Sequence, residues 1–164
     1  MREYHSQMRV TLSRKPFQHM EVRHVTQTPT TSNKQVVEEF DRMLNTRDLS
    51  QLDQLCTPDM VNHALAPSRP SGLAGTKEFL QSEAGRSFQG DTWESLETIA
   101  EGDLVVQHGV RGGHWPGGPF LGFPTQPGDY RREVVFMYRL RDGRICERWA
   151  VRDDLTMLRQ LQAL

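Results

Sequence analysis

Cysteine and lysine are both scarce in this 164-residue chain. Two cysteines, Cys56 and Cys146, cannot build a disulfide framework, and they point to a reducing, cytoplasmic setting. No apolar run approaches the ~18 residues of a membrane-spanning helix, so no membrane partner is expected. The N-terminal region lacks the apolar stretch of about 7–15 residues that marks a secretory signal. Twenty basic residues stand against 21 acidic ones, for a net charge of −1, so the basic excess that nucleic acid demands is missing. No HExxH or CxxC pattern offers a metal site. GxSxG, P-loop and dinucleotide fingerprints are also absent. His108 and His114 are six residues apart, about 20 Å along a strand rising ~3.3 Å per residue, too far to share one ion. The expectation is one globular domain that works without metal or cofactor.

Composition divides the chain near residue 32. Residues 1–32 hold five Lys/Arg and two acidic residues, while the remainder holds 15 and 19. Rich in Ser, Thr and Gln and poor in apolar residues, residues 1–31 read as a polar, disordered tail ahead of a domain at 32–164. Ser32 and Gln35 form a capping box, and Val36, Val37, Phe40, Met43 and Leu44 follow at helical spacing. Leu49, Leu52 and Leu55 predict a second short helix stopped near Pro58, with an extended piece at 60–65. A third helix carries Thr76, Leu80, Ala84 and Phe88 on one stripe. The period then falls to two, predicting strands at 92–101, 103–114, 131–141 and 144–153. Residues 112–130, crowded with glycine and proline, read as a long loop, and 154–164 as a closing helix. Helices followed by an antiparallel sheet make an α+β fold.

Asp142-Gly143 is a strong two-residue hairpin signal, and it fixes the expected pairing of the last two strands. Phe136 then faces Trp149, Tyr138 faces Glu147, and Arg132 faces Asp153, all on the apolar, inward side. A carboxylate on such a face costs desolvation unless it is paired. That makes Asp153 a candidate acid/base, with an ion pair to Arg132 or an N-cap role as the alternatives. His108 shares its face with Leu104, Val106 and Val110 and so is expected to point inward. His63 shares parity with Val61 and Leu65, which places a second histidine beside the same pocket. Phe136, Tyr138 and Trp149 supply apolar walls, with Glu147, Arg132, His114 and Phe123 as further substrate-binding candidates.

Several segments in this order resemble one family: Gly72-Leu-Ala-Gly-Thr-Lys-Glu-Phe79, Glu101-Gly-Asp-Leu-Val-Val106, His114 with Gly118 and Gly122-Phe-Pro124, Arg141-Asp-Gly-Arg-Ile145, Glu147-x-Trp149-x-x-x-Asp153 and Leu158-Arg-Gln-Leu161. Over about residues 34–162 the chain is similar to the SnoaL-like polyketide (ester) cyclases of the nuclear-transport-factor-2-like superfamily. The resemblance implies a cone-shaped α+β fold whose curved antiparallel sheet wraps N-terminal helices and encloses an apolar pocket. It also implies a homodimer formed through the outer sheet face. In this family an acid/base aspartate closes rings by intramolecular aldol condensation of a polyketide ester, without metal or cofactor. Asp153 stands at the matching position, and His63 matches a position where the family often has histidine. The chemistry expected is therefore acid/base catalysis on a small, apolar carbonyl compound by Asp153, with His108 or His63 on the enolate oxygen. Epoxide hydrolysis by an Asp153–Arg132 pair, and non-catalytic binding of an apolar metabolite, are the alternatives.

Overall fold

A computed structural model describes residues 30–46, 48–66, 68–82, 88 and 90–164. The expected tail at 1–31 lies outside these residues except for its last two, which open a helix, and so does Ala84 of the third-helix stripe. Among the described residues no helix is long and apolar enough to cross a membrane.

Helix α1 (Thr30–Thr46) buries Val37, Phe40 and Met43 along one stripe. Asn33 donates to the Gly102 carbonyl at 3.0 Å and Lys34 to the Thr98 carbonyl at 2.9 Å. Both bonds pin α1 across the sheet. A short 3-10 turn (Leu49–Gln51), capped by the Asp48 side chain, runs into α2 (Leu52–Leu55). Strand β1 (Cys56–Asn62) follows, with Pro58 tolerated because β1 is an edge strand. Helix α3 (Leu73–Gln81) precedes β2 (Thr92–Glu101) and β3 (Leu104–Trp115). Strands β4 (Gly118–Phe120) and β5 (Phe123–Thr125) form a small hairpin. The long strand β6 (Gly128–Arg141), β7 (Arg144–Arg152) and α4 (Asp154–Gln160) complete the chain.

The main sheet has the order β1-β7-β6-β3-β2. It is α+β as expected, but mixed, because β1 runs parallel to β7 while the other pairs are antiparallel. Phe40, Met43, Leu52, Met60, Leu73, Val105, Val134, Phe136, Tyr138 and Ile145 make the main core between helices and sheet. The expected loop at 112–130 is mostly strand. Three of its aromatic residues are structural: Trp115 and Phe120 pack with Tyr130 against Met157, Leu158 and Leu161 of the C-terminal segment. Trp115 donates to Thr125 at 2.7 Å, which in turn donates to the Gly118 carbonyl at 2.6 Å.

The β6–β7 hairpin departs from the expected register after two pairs. Asp142 and Gly143 both have positive φ, as a type I′ turn requires, and Arg141–Arg144 and Leu140–Ile145 pair as predicted. Cys146 is then left without a partner, and Arg139 pairs with Glu147. Such a bulge reverses the side-chain parity of the rest of the strand. Phe136 faces Ala150, Tyr138 faces Arg148, and Met137 faces Trp149. Glu147 and Trp149 therefore sit on the outer side, and Asp153 follows at the end of the strand. Arg148, Ala150 and Arg152 turn inward.

Candidate functional site

Residues directly opposite one another in a sheet share a face, so β6 fixes the inward positions of its neighbours. Along β6 the even-numbered residues Tyr130, Arg132, Val134, Phe136, Tyr138 and Leu140 are buried. Their partners on β3 are Gly113, Arg111, Gly109, Gln107 and Val105. His108, expected inward, pairs with Val135 on the outer face and is half-exposed. Its strand mates Leu104, Val106 and Val110 misled because the inward row of β3 is the polar one. His63 is likewise exposed. It lies beyond β1, stacked on Trp149 with ring centroids 4.9 Å apart and 3.8 Å from Glu147. His114 pairs with Asp129 at 2.7 Å on the surface, and Phe123 is an exposed hairpin residue.

Asp153 does not line the cavity between the helices and the sheet. It is the N-cap of α4, accepting from the Thr156 backbone N–H at 3.0 Å and from the Thr156 hydroxyl. Arg132 hydrogen-bonds Asp154 instead. Of the readings open for Asp153 the structure takes the N-cap, and the ion pair to the arginine falls to its neighbour Asp154. The Asp153–Arg132 contact on which an epoxide hydrolase would rest is not formed.

Of the expected residues, the structure brings Arg132 and Phe136 together on one cavity wall, with Tyr138 buried beside Phe136. The cavity has a volume of about 110 Å³ and opens to solvent. It lies between the helices and the concave face of the sheet. Phe40, Leu44, Phe79, Leu80, Val134 and Ala150 give it apolar walls. Asn62 opposite Arg148, hydrogen-bonded to Thr76 at 3.1 Å, ties β1 to α3 at its rim.

Four arginines line this cavity: Arg111, Arg132, Arg148 and Arg152. Arg111 is paired with buried Asp91 at 3.0 Å, and Asp91 also accepts from Tyr130. Asp154 is shared between Arg132 and Arg152, the latter at 3.4 Å. Arg148 makes no ion pair among the described residues. It is only 8% exposed, and its guanidinium lies over the Phe136 ring at 4.4 Å, with Tyr138 and Phe40 at 5.8 and 5.9 Å. Arg132, 4% exposed, sits among Phe88, Phe120 and Tyr130. Burial pulls the Arg132 pKa down, opposed by Asp154. The Nε atoms of both Arg132 and Arg148 are buried with no acceptor among the described residues. Cation–π contact is worth about 0.5–2 kcal/mol. Burying an ion costs several kcal/mol. The rings therefore do not offset the burial of Arg148 alone.

No Asp, Glu or His among the described residues lines the cavity. The nearest unusual carboxyl is Asp41, in a shallower groove on the other flank of α1 with Trp93 and Gln107. It accepts from Tyr138 at 3.3 Å, and burial raises its pKa against the pull of Gln107 and Arg148. Cys56 is buried and its thiol is pushed up to about 12, which makes it a poor nucleophile. Among the described residues no group of three or more His, Cys, Asp or Glu side chains is placed to hold a metal ion.

The sequence profile of the SnoaL-like polyketide cyclases matches residues 34–161. The chain belongs to that family. Solved structures agree with the fold. TsrD from Streptomyces laurentii is 25% identical, covering 82% of this chain and 97% of its own, with a TM-score of 0.69. IdmH from Streptomyces antibioticus is 28% identical, covering 79% and 98%, with a TM-score of 0.65. A SnoaL-like polyketide cyclase from Agrobacterium tumefaciens, 16% identical over 79% of this chain and 97% of its own, shares the fold at a TM-score of 0.67. No curated protein sequence matches the chain. Within this SnoaL-like domain, Glu147, Trp149 and Asp153 of the Glu-x-Trp-x-x-x-Asp segment do not line the cavity.

The residues that sequence reasoning missed are Arg111, Arg148 and Arg152. One signal could have found them. Arg132 interrupts an otherwise apolar even-numbered row, Tyr130, Val134, Phe136 and Tyr138, and an arginine held in such a row lines something polar.

Proposed function

We propose that this SnoaL-like protein closes a ring on a small polyketide-type carbonyl compound bound in the arginine-lined cavity, by an aldol-type reaction. The observation that carries this reading is the set of buried arginines on an otherwise apolar wall. Fixed cations in a water-poor site stabilise charge that develops on oxygen far better than the same cations in water. A proton leaves the carbon between two carbonyls, and the resulting enolate oxygen lies against Arg132 and Arg111. The enolate carbon forms the new C–C bond to a second carbonyl on the same chain, and the alkoxide takes up a proton. The net change is an isomerisation that needs no redox partner. Water entering through the mouth serves as proton acceptor and donor, in place of the Asp153, His108 and His63 set.

One observation favours a second reading. A cavity wall with no carboxylate or imidazole among the described residues also suits a protein that binds an apolar metabolite and does not turn it over. Deuterium exchange separates the two. A 1,3-dicarbonyl compound carrying a remote ketone is incubated with the protein in D₂O and followed by NMR. The enzyme reading expects faster exchange at the acidic methylene, a cyclised product, and loss of both in a folded Arg132→Gln variant. A compound that raises the melting temperature yet exchanges at the rate of buffer alone establishes the binding reading. We also propose a homodimer through the outer sheet face.

A further inference from the structure

The geometry points to Arg148 as an anchor for a carboxylate, so that the cavity takes an apolar carboxylic acid in its ionised form and not the corresponding neutral ester. The inference rests on the reading of this cavity as the ligand site. It concerns the charge of the ligand, and departs from the ester that the family resemblance implies.

The argument is one of charge inside the cavity. Four arginines line the wall, and two carboxylates stand behind them. Asp91 is committed to Arg111 and Tyr130, and Asp154 to Arg132 and Arg152. Arg148 has neither. Among the described residues its guanidinium lies over aromatic rings with the Tyr138 hydroxyl in reach, it forms no ion pair, and its Nε N–H has no acceptor. Asp41 acts on it from a distance, with Tyr138 between them donating to Asp41 at 3.3 Å. An arginine keeps its charge in any protein environment, so this site cannot relieve itself by losing a proton. An incoming carboxylate accepts from the guanidinium fork in a charge-assisted geometry that an ester cannot match.

Position supports the assignment. Arg148 is opposite Tyr138 on one side and Asn62 on the other, near the middle of the sheet. Arg111, Arg132 and Arg152 lie together further along, since Arg111 pairs with Arg132. A ligand fixed at Arg148 by its acid end extends past Val134 and Ala150, which line the same wall, towards the second cationic group. That group then meets a carbonyl oxygen. The cavity so described has one anchor for a fixed charge and a separate patch for a developing one.

The test uses the full chain with hydrocinnamate, its primary amide and its methyl ester, measured by calorimetry and by thermal shift. The amide has the shape of the acid without its charge. The acid is expected to bind about tenfold or more tightly than either neutral probe, the loss expected when a charge-assisted pair is removed. Arg148→Met is expected to erase the difference, and Arg148→Lys to keep part of it as a point charge. If Arg148→Met does not fold, the wild-type ratio and the lysine variant decide. Equal affinity for acid and amide overturns the assignment. So does failure of the acid to bind at millimolar concentration, or an acid preference that survives in folded Arg148→Met. Failure of the cyclase reading looks different: the acid preference holds, while no compound shows catalysed exchange.

Discussion

Asp153 accepts from the Thr156 side chain and backbone, and these hydrogen bonds hold its carboxyl below the ordinary carboxylate range. A depressed carboxyl pKa stabilises the folded state above the unfolded pKa, and the effect is lost as pH falls through the folded value. Asp153→Ala is therefore expected to lower the melting temperature by a few degrees at neutral pH, with the gap closing in acid, while Asp153→Asn remains a good cap. A thermal-shift series across pH checks this, and an unchanged affinity for cavity ligands is expected in both variants. Asp41 has the opposite sign. Burial raises its pKa, so its contribution is favourable below the unfolded value and is lost as pH rises through the folded one. Asp41→Asn is expected to melt above wild type at neutral pH, with the advantage vanishing in acid. A variant that melts below wild type at neutral pH would show that the Asp41 charge is needed by Arg148 or Tyr138.

Helix α3 forms one side of the cavity, and Gly75 sets how closely it can approach the chain before it. A Cβ at this position would lie 1.8 Å from the Pro70 carbonyl oxygen, a backbone atom that cannot swing away. Helix propensity alone favours Gly75→Ala by about 1 kcal/mol. Overpacking costs about 1–3 kcal/mol and wins here. Urea denaturation is expected to show a net loss, and a stabilised variant would mean that α3 packs less closely than described. At this scale much of the fold was legible. The period-two pattern marked the strand at 131–141 that became β6, Asp142-Gly143 marked its hairpin, and Val37, Phe40 and Met43 marked α1. The site was not legible, for two physical reasons. The Cys146 bulge reverses parity after only two pairs, and nothing in a short strand shows where the extra residue falls. On β3 the inward row carries Gln107 and Arg111, while Leu104, Val106 and Val110 lie on the other, so counting apolar residues selects the wrong face.

The same bulge gives the whole molecule its outer face. Turning Trp149 outward completes a cross-strand row of Ile99, Val106, Met137 and Trp149, each paired with the next. His63 stacks on the end of that row. A neighbouring row runs His108, Val135 and Val151, with Val151 63% exposed and Ile99 65%. Ala150, next to Trp149 in β7, points the other way and lines the cavity. An apolar patch of this extent, edged by Glu97, Glu133 and Arg139, has the composition of an association surface. A two-fold axis sets the same patch of both copies against itself, so each row can lie against its own copy. Met137 occupies the middle of the patch and is only half-buried, so its replacement by glutamate places a charge at the centre of the interface without entering the core. Two such charges meet across the axis and are desolvated together, which costs far more than the same change on a free surface. Light scattering at micromolar concentration is expected to give a dimer for the wild type and a monomer for Met137→Glu, with unchanged far-ultraviolet circular dichroism. A wild-type monomer at that concentration, or a Met137→Glu dimer, would assign this face to some other partner or to solvent.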